Sequence, residues 1–376
     1  MDRCDVLIVG GGPAGSSCAW KLRQAGIEVV VLDKATFPRH KVCGGWITPP
    51  ILQELQLDAE EYGRQRTLQP ITRFITGFIA GRELETVYDR PVSYGIRRSE
   101  FDHFLLARSQ ARLRLGEGLH SLRREGGDWI VNDAVAAPFV VGAGGHFCPV
   151  ARQFAAGSPA AAVTSPDLPT VVAQEVEFEM SESHLEQCSA AGERPELYFC
   201  PDLKGYGWIF RKGNFLNVGL GREGESNLSM KVDEFVHWLT DRGKIPSPLP
   251  ERFRGHAYHL RTALRPAVPA ERLLLIGDAL GLAERQSGEG IRPAVESGLL
   301  AAASILEALA RPACDLRADY QRRLQSRFPQ TPSLATWLPE PLRTAAARWL
   351  MAAPWFARHV LLDRWFLHAH QPTLRG

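Results

Sequence analysis

A three-layer α/β domain with a parallel sheet, interrupted by an α+β domain on an antiparallel sheet and followed by a C-terminal helical segment, is predicted by three features of this 376-residue sequence. An apolar run, Asp5-Val-Leu-Ile-Val9, leads into Gly10-x-Gly12-x-x-Gly15. A second apolar run, Leu273-Leu-Leu-Ile276, ends far downstream in Gly277-Asp278. Between them, from Gly145 to about Arg265, the pattern changes to alternating strands.

The run before Gly10 suits a fully buried parallel strand. Gly10 and Gly12 allow a tight turn and close approach to a pyrophosphate at the start of the next helix, Pro13 to Gln24; Pro13 and Ala14 open that helix, and Gly15 lets it pack closely on the strand. A second strand, Glu28-Val-Val-Val-Leu32, ends at Asp33, where a carboxylate accepts hydrogen bonds from an adenosine ribose and disfavours a 2′-phosphate; Lys34 follows in the same turn. This Rossmann-like half predicts a dinucleotide without separating FAD from NAD. The downstream half separates them. An Asp after a buried strand can hold a ribityl hydroxyl, as Asp278 would, and a Gly-rich turn opening a helix, here Ser287-Gly288-Glu289-Gly290-Ile291, can face a flavin pyrimidine. Ala294, Val295, Gly298, Ala301 and Ala302 recur behind it at helical spacing, so FAD is the expected cofactor.

The organisation is interleaved. Phe37-Pro-Arg-His-Lys-Val-Cys-Gly-Gly45 reads as a loop lying over the cofactor, because its Pro and paired glycines break regular structure. Ile71 to Ser93 reads as short strands, and Arg98 to Leu106 as a helix capped by Ser99. Phe139-Val-Val141 is a further buried strand, entering Gly142-Ala143-Gly144-Gly145. Thr170 to Phe178 and Glu196 to Val218 are strands of the inserted domain, with a loop from Ala155 to Pro169 before them. The expected division is residues 1–70, 95–165 and 266–312 for the nucleotide domain, 71–94 and 166–265 for the substrate domain, and 313–376 for the C-terminal segment.

Composition excludes several classes. Forty-four basic against 42 acidic residues leave +2, so no nucleic-acid partner is indicated. Seven cysteines without a C-x-x-C pair argue against a disulfide framework or a zinc site, and a reducing cytoplasm is expected. His256, His259, His368 and His370 lack companion ligands, so no metal is assigned. A strand at Asp5 leaves no room for a signal segment, and no uninterrupted apolar stretch reaches the roughly 18 residues of a membrane span. Any membrane contact is expected to be peripheral, at the inner face.

These pieces, from about residue 4 to 310, resemble the geranylgeranyl reductase family of flavoproteins, a branch of the superfamily that holds para-hydroxybenzoate hydroxylase and the flavin halogenases. The motifs are the N-terminal glycines, Phe37-Pro-Arg39 with Lys41-Val-Cys43-Gly44-Gly45, Arg98-x-x-Phe101-Asp102, Gly142-Ala-Gly-Gly145, and Gly277-Asp278 continuing to Gly288-Glu-Gly290-Ile291. The branch is selected by Gly205-Tyr-Gly-Trp-Ile-Phe-Arg-Lys with Asn217-Val-Gly219, which is similar to a Tyr-x-Trp-x-Phe-Pro-Lys run that lines an isoprenoid cavity in those reductases. The resemblance implies hydride transfer from reduced flavin to an isolated double bond of an apolar or lipid substrate, with Cys43 beside the isoalloxazine, Arg39 and Arg98 near the flavin and its phosphates, and NAD(P)H as a candidate electron donor. Gly144 stands where relatives carry an Asp that helps organise pyridine-nucleotide use, and Cys148 where they carry Ser. Arg211 replaces the Pro of the aromatic motif and Arg285-Gln286 a Pro-Leu, which implies a more polar cavity.

Several residues carry two readings. Period 2 puts Tyr206, Trp208 and Phe210 on one strand face, either a substrate wall or domain core. Cys43 can donate a proton, tune the flavin or only fill space. Arg98 is either a flavin neighbour or a solvated helix-start arginine. Leu342 to Leu350 and Trp355 to Leu367 read as two helices broken by Pro354, with Arg343, Arg348, Arg358 and Arg364 among the aromatics: a basic membrane-surface pair or a helical cap. The competing functions are an oxygen-using hydroxylase or halogenase, and an electron relay to a protein partner. The run Gly277-Asp-Ala-Leu-Gly281 lacks the His usual in hydroxylases, and only Trp208 matches the halogenase Trp-x-Trp-x-Ile-Pro motif.

Overall fold

The computed structural model describes residues 1–155, 170–224, 227–261, 266–329 and 340–374, so the loop expected beyond Ala155 lies outside the described residues. The chain forms two compact units, Met1–His40 with Ser99–Pro169 and Tyr258–Thr331, and Lys41–Arg98 with Thr170–Ala257 and Pro332–Gly376.

The first unit is built on a five-stranded sheet in the order Leu273–Leu275, Phe139–Gly142, Val6–Val9, Val29–Asp33, Arg112–Leu115, parallel throughout. Val6-Leu-Ile-Val9 is wholly buried, as a continuous apolar run in a parallel sheet must be. Register sets Gly142 beside both Val9 and Leu275, so the two halves of the fingerprint end on either side of the Gly142 strand terminus. Helices Pro13–Gln24 and Ile291–Ala310 cross so closely that a Cβ on Gly298 would stand 2.3 Å from the Ala14 carbonyl oxygen. Ile291–Ala310 is long and apolar enough, by length and composition, to cross a membrane, which the run-based reading of the sequence did not register. Here its Arg292 and Glu296 pair at 2.8 Å in the buried interior, and Arg327 joins them at 2.7 Å. Helix Leu316–Arg327 belongs to this unit too, because the Tyr320 hydroxyl donates to the Leu275 carbonyl at 2.9 Å and Ser304 donates to Asp319 at 2.7 Å. Its residues were expected in the C-terminal segment. A meander, Leu122–Glu125, Asp128–Val131 and Val135–Ala137, with the edge strand Asp2–Arg3, completes the unit.

The second unit holds a seven-stranded sheet in the order Arg254–His259, Thr170–Glu179, Phe215–Glu223, Gly205–Lys212, Glu196–Phe199, Arg73–Phe78, Glu83–Val87. One parallel pair, Glu196–Phe199 with Arg73–Phe78, interrupts its antiparallel ladders. One face, with Tyr198, Ile209, Leu216 and Val218, packs on helix Leu228–Thr240. The other carries Leu197, Phe199, Trp208 and Phe210 against Leu361, Leu362 and Phe366. Trp46–Ile47 and Leu68–Ile71 pair with Ser93–Ile96, which draws residues 46–70 into this unit and away from the nucleotide domain where the sequence reading put them. The helix expected near Arg98 begins at Arg98 itself, so Ser99 lies inside its first turn and not at its cap. At the C-terminus, helix Glu340–Met351 is followed by Pro354–Phe356, which runs into a π-wound stretch, Ala357–Phe366.

Candidate functional site

In the first unit the glycine turn is sterically obligatory. Gly10 has φ +117° and a Cβ there would stand 2.3 Å from the Ala143 carbonyl oxygen, while a Cβ on Gly15 would stand 1.9 Å from the Gly10 carbonyl oxygen. The turn delivers helix Pro13–Gln24 with no side-chain cap at Gly12, so its first backbone N–H groups and its dipole are directed at whatever anion sits there. The Asp33 carboxylate accepts from the Gly11 N–H at 2.7 Å and the Ala35 N–H at 2.8 Å, which holds it at the mouth of the turn with lone pairs left for ribose hydroxyls. Lys34 beside it is exposed. Arg39 lies 3.2 Å from the buried Asp102 carboxylate and 4.8 Å above the Phe37 ring. Its Nη2 is 3.4 Å from where a Cβ on Gly12 would be, so the guanidinium stands at the same helix start.

On the neighbouring strand ends, Gly142 and Ala143 are buried and Gly144 is exposed. The Gly277 N–H donates to Ser297 Oγ at 2.9 Å, tying the Gly277–Ala279 turn to helix Ile291–Ala310. Asp278 Oδ1 is 3.3 Å from a Cβ position on Gly290, so this carboxylate sits where that helix begins, after Gly288 and before Ile291. An uncapped helix start, a carboxylate at its mouth, an arginine and a second helix start with its own Asp are groups that could hold FAD. Arg285 and Gln286 are exposed.

In the second unit Cys43, Gly44 and Gly45 form a turn pinned on two sides. A Cβ on Gly44 would be 2.7 Å from the Phe210 ring, and Gly45, at φ +67°, would place one 2.2 Å from the Ile96 carbonyl oxygen. The Gly45 N–H points at Cys43 Sγ at 3.4 Å, and Cys43 is half-buried. Trp46 packs on Phe74, Phe210 and Phe366 with centroids 5.4, 5.7 and 5.6 Å apart. Trp208 and Phe210 are buried and Tyr206 partly so, with Phe366 5.4 Å from Tyr206. The expected aromatic face is therefore real, and the C-terminal segment packs on it. Arg98 is buried, 8% exposed, which removes the solvated reading of that arginine.

Sequence reasoning missed the polar residues behind this turn. Trp208 Nε1–H donates to Asn217 Oδ1 at 2.7 Å, and Asn217 Nδ2 donates to Glu175 at 2.8 Å, to Glu177 at 3.3 Å and to the Cys43 carbonyl at 3.3 Å. Lys212, 1% exposed, pairs with Glu177 at 2.6 Å and donates to the Ile96 carbonyl at 3.0 Å. Burial pushes the Glu175 carboxyl up to about 7, against the hydrogen bond from Asn217 and the attraction of Lys212. Burial also acts on Glu177, yet the Lys212 ammonium holds that carboxyl below its usual range. The signal was present in Gln174-Glu175-Val176-Glu177, where period 2 places both acids on the Ala173 face of a buried strand. Among the described residues no group of three or more His, Cys, Asp or Glu is placed to hold a metal ion, and all seven cysteines are free thiols.

A family model of FAD-dependent oxidoreductases matches residues 5–92. Menaquinone reductase of Mycobacterium tuberculosis is 30% identical over 329 residues, covering 80% of this chain and 76% of that protein. The chain belongs to the geranylgeranyl reductase family of FAD-dependent oxidoreductases. Another relative, digeranylgeranylglycerophospholipid reductase of Methanocaldococcus jannaschii, is 24% identical, covering 80% of this chain and 76% of that protein. The same fold is found in the crystal structure of a geranylgeranyl bacteriochlorophyll reductase-like protein of Thermoplasma acidophilum, at TM-score 0.74 and 21% identity over 94% of this chain and 88% of that one.

Proposed function

We propose that this protein reduces carbon–carbon double bonds in the isoprenoid part of an apolar substrate, a prenylated lipid or a prenyl quinone. The observation that carries the reading is the Cys43–Gly45 turn, whose Gly44 is pressed onto Phe210 and Trp208 and whose neighbour Trp46 packs on Phe210: a cysteine next to an aromatic face. The names of the relatives, which concern menaquinone and a digeranylgeranyl lipid, support the substrate class. Bound FAD, once reduced, supplies the hydride. An isolated alkene has no carbonyl to stabilise charge, so the chain's own task is to orient the bond, exclude water and hold a proton at Cys43 Sγ. Hydride and proton together add two hydrogens across the bond.

The same reading includes peripheral contact with the inner face of the cytoplasmic membrane, where such a substrate resides. Its support is Trp349 and Trp355, 75% and 66% exposed, with Leu350 beside them. Arg348 stacks on Phe78 at 5.4 Å and Arg358 on Tyr88 at 4.8 Å, so these two cations serve the fold and the apolar side chains face outward. The Arg343 side chain lies outside the described residues.

The test is anaerobic. Protein reduced with dithionite is mixed with a geranylgeranyl lipid or menaquinone, and flavin reoxidation is followed together with product mass. Reoxidation with a gain of two hydrogens is expected; NADPH and NADH then replace dithionite to identify the donor. A flavin that stays reduced until oxygen is admitted, with an aromatic product gaining oxygen or halide, would overturn the reading in favour of a monooxygenase.

A further inference from the structure

We propose that Glu175 and Asn217 are positioning residues for Cys43, a clamp on its peptide group that couples the reactivity of the thiol to the protonation of Glu175; the proposal rests on reading Cys43 as a working thiol.

The geometry leaves the amide one orientation. Trp208 Nε1–H is a donor only, so the Asn217 atom 2.7 Å from it must be the carbonyl oxygen. The amide nitrogen then faces the other way, where it meets the Cys43 carbonyl and the two carboxyls of Glu175 and Glu177. The Cys43 N–H donates to Glu175. Both backbone polar groups of Cys43, one in each of the two peptide units that flank its Cα, are thus held by side chains of two adjacent strands, Thr170–Glu179 and Phe215–Glu223, and both side chains are 1% exposed. A buried backbone group satisfied in this way is not free to drift, and the Cα that carries the thiol is held relative to the sheet.

The charges around the clamp are unequal. Glu177 faces two cations, Lys212 at 2.6 Å and Arg97 at 3.5 Å, and is ionised. Glu175 has the neutral Asn217 and a peptide N–H as direct partners, with Lys212 acting on it through space and the Glu177 carboxylate opposing its ionisation. Two residues before the thiol, Lys41 is hydrogen-bonded to His256 at 2.6 Å. With burial holding its proton up to about pH 7, Glu175 is neutral in a mildly acidic medium and anionic in a mildly alkaline one. As pH rises, the negative charge that develops on Glu175 lies beside the backbone of Cys43, so the charge state of the clamp reaches the residue that carries the thiol.

The experiment is iodoacetamide alkylation of the FAD-loaded protein from pH 6 to 9, with Cys43 resolved from the six other cysteines by peptide mass spectrometry. The Cys43 rate in wild type should show an inflection near pH 7 in addition to the thiol's own titration. In Glu175→Gln that inflection should vanish and the rate at pH 8 should rise about tenfold. Asn217→Ala, which releases the Cys43 carbonyl, should alter the rate at every pH. If Asn217→Ala does not fold, the isosteric Glu175→Gln carries the test alone. Identical profiles in Glu175→Gln and wild type would overturn the clamp. Because the readout is alkylation, a response in Glu175→Gln supports the clamp even where no prenyl lipid reoxidises the flavin, a result that would sink only the reductase reading.

Discussion

Raising the pH from 5 to 8 should destabilise this protein at one buried carboxyl, and the size of the effect follows from its surroundings. Burial lifts Glu175 from 4.5 to about 7, with Asn217, Lys212 and the Cys43 N–H pulling the other way. Between those two values the native state keeps a proton that the unfolded chain has released. The contribution is therefore fully present below the unfolded value and is lost as pH rises through the folded one. A shift of about 2.5 units corresponds to about 3 kcal/mol, of which about 2 to 3 falls between pH 5 and 8. Glu175→Gln cannot titrate, so the difference in unfolding free energy between variant and wild type isolates this one group. Urea unfolding followed by tryptophan fluorescence at four pH values should show the difference moving by that amount in the variant's favour. A difference that stays flat with pH would refute the desolvated carboxyl and, with it, the pH-dependent part of the clamp.

Gly15→Ala forces a Cβ within 1.9 Å of the Gly10 carbonyl oxygen, so FAD binding should weaken tenfold or more, about 1.4 kcal/mol, read from flavin retained after dialysis. Cys43→Ala should retain FAD yet reoxidise reduced flavin with a prenyl substrate about 100-fold more slowly, the scale of a lost proton donor; an unchanged rate would assign the proton to another group. Gly219→Ala would drive a Cβ to 2.3 Å from the Trp208 indole and break its bond to Asn217, leaving a buried acceptor unmet at a cost of about 1–3 kcal/mol in thermal or urea unfolding. Trp349→Ala with Trp355→Ala should lower sedimentation with anionic vesicles by about tenfold or more without changing flavin content, and equal sedimentation would place the membrane contact elsewhere.

The parts of this molecule that were legible in the sequence are those governed by local rules. The strand Val6–Val9, the helix Pro13–Gln24 and the turn between them follow from a continuous apolar run and glycines at fixed offsets, and the helix limits match the expectation. The period-2 face of Tyr206, Trp208 and Phe210 was equally readable. The unit boundaries were harder, because they depend on pairings between distant segments: Leu68–Ile71 finds Ser93–Ile96, and Phe366 finds Trp46. Helix Ile291–Ala310 escaped a search for unbroken apolar runs because its charged residues interrupt the string while pairing in space. Period 2 puts Glu175 and Glu177 on one face, but it does not say that this face is covered or that Lys212 meets them there. A lone acid or lysine in a strand reads as solvent-facing until the strands on either side are known.

The register of the neighbouring strands explains how the aromatic motif works. Across the sheet, Phe210 lies opposite Asn217 and Asn217 opposite Glu177, while Trp208 lies opposite Gly219 and Gly219 opposite Glu175. Each row runs aromatic, small or amide, acid over three strands. Gly219 has no side chain, so the Trp208 indole can lie across it; a residue with a Cβ would push the ring away and its N–H would no longer reach Asn217. The indole then orients the amide, the amide and Glu175 hold the Cys43 peptide, and Phe210 supports Gly44 from beneath. Slipping any one strand by a single residue would turn its members to the opposite face, toward helix Leu228–Thr240, and dismantle every link together. The motif's spacing along one strand is thus only half of its meaning. The other half is the register that brings an amide and two acids, separated from it in sequence, under the same turn.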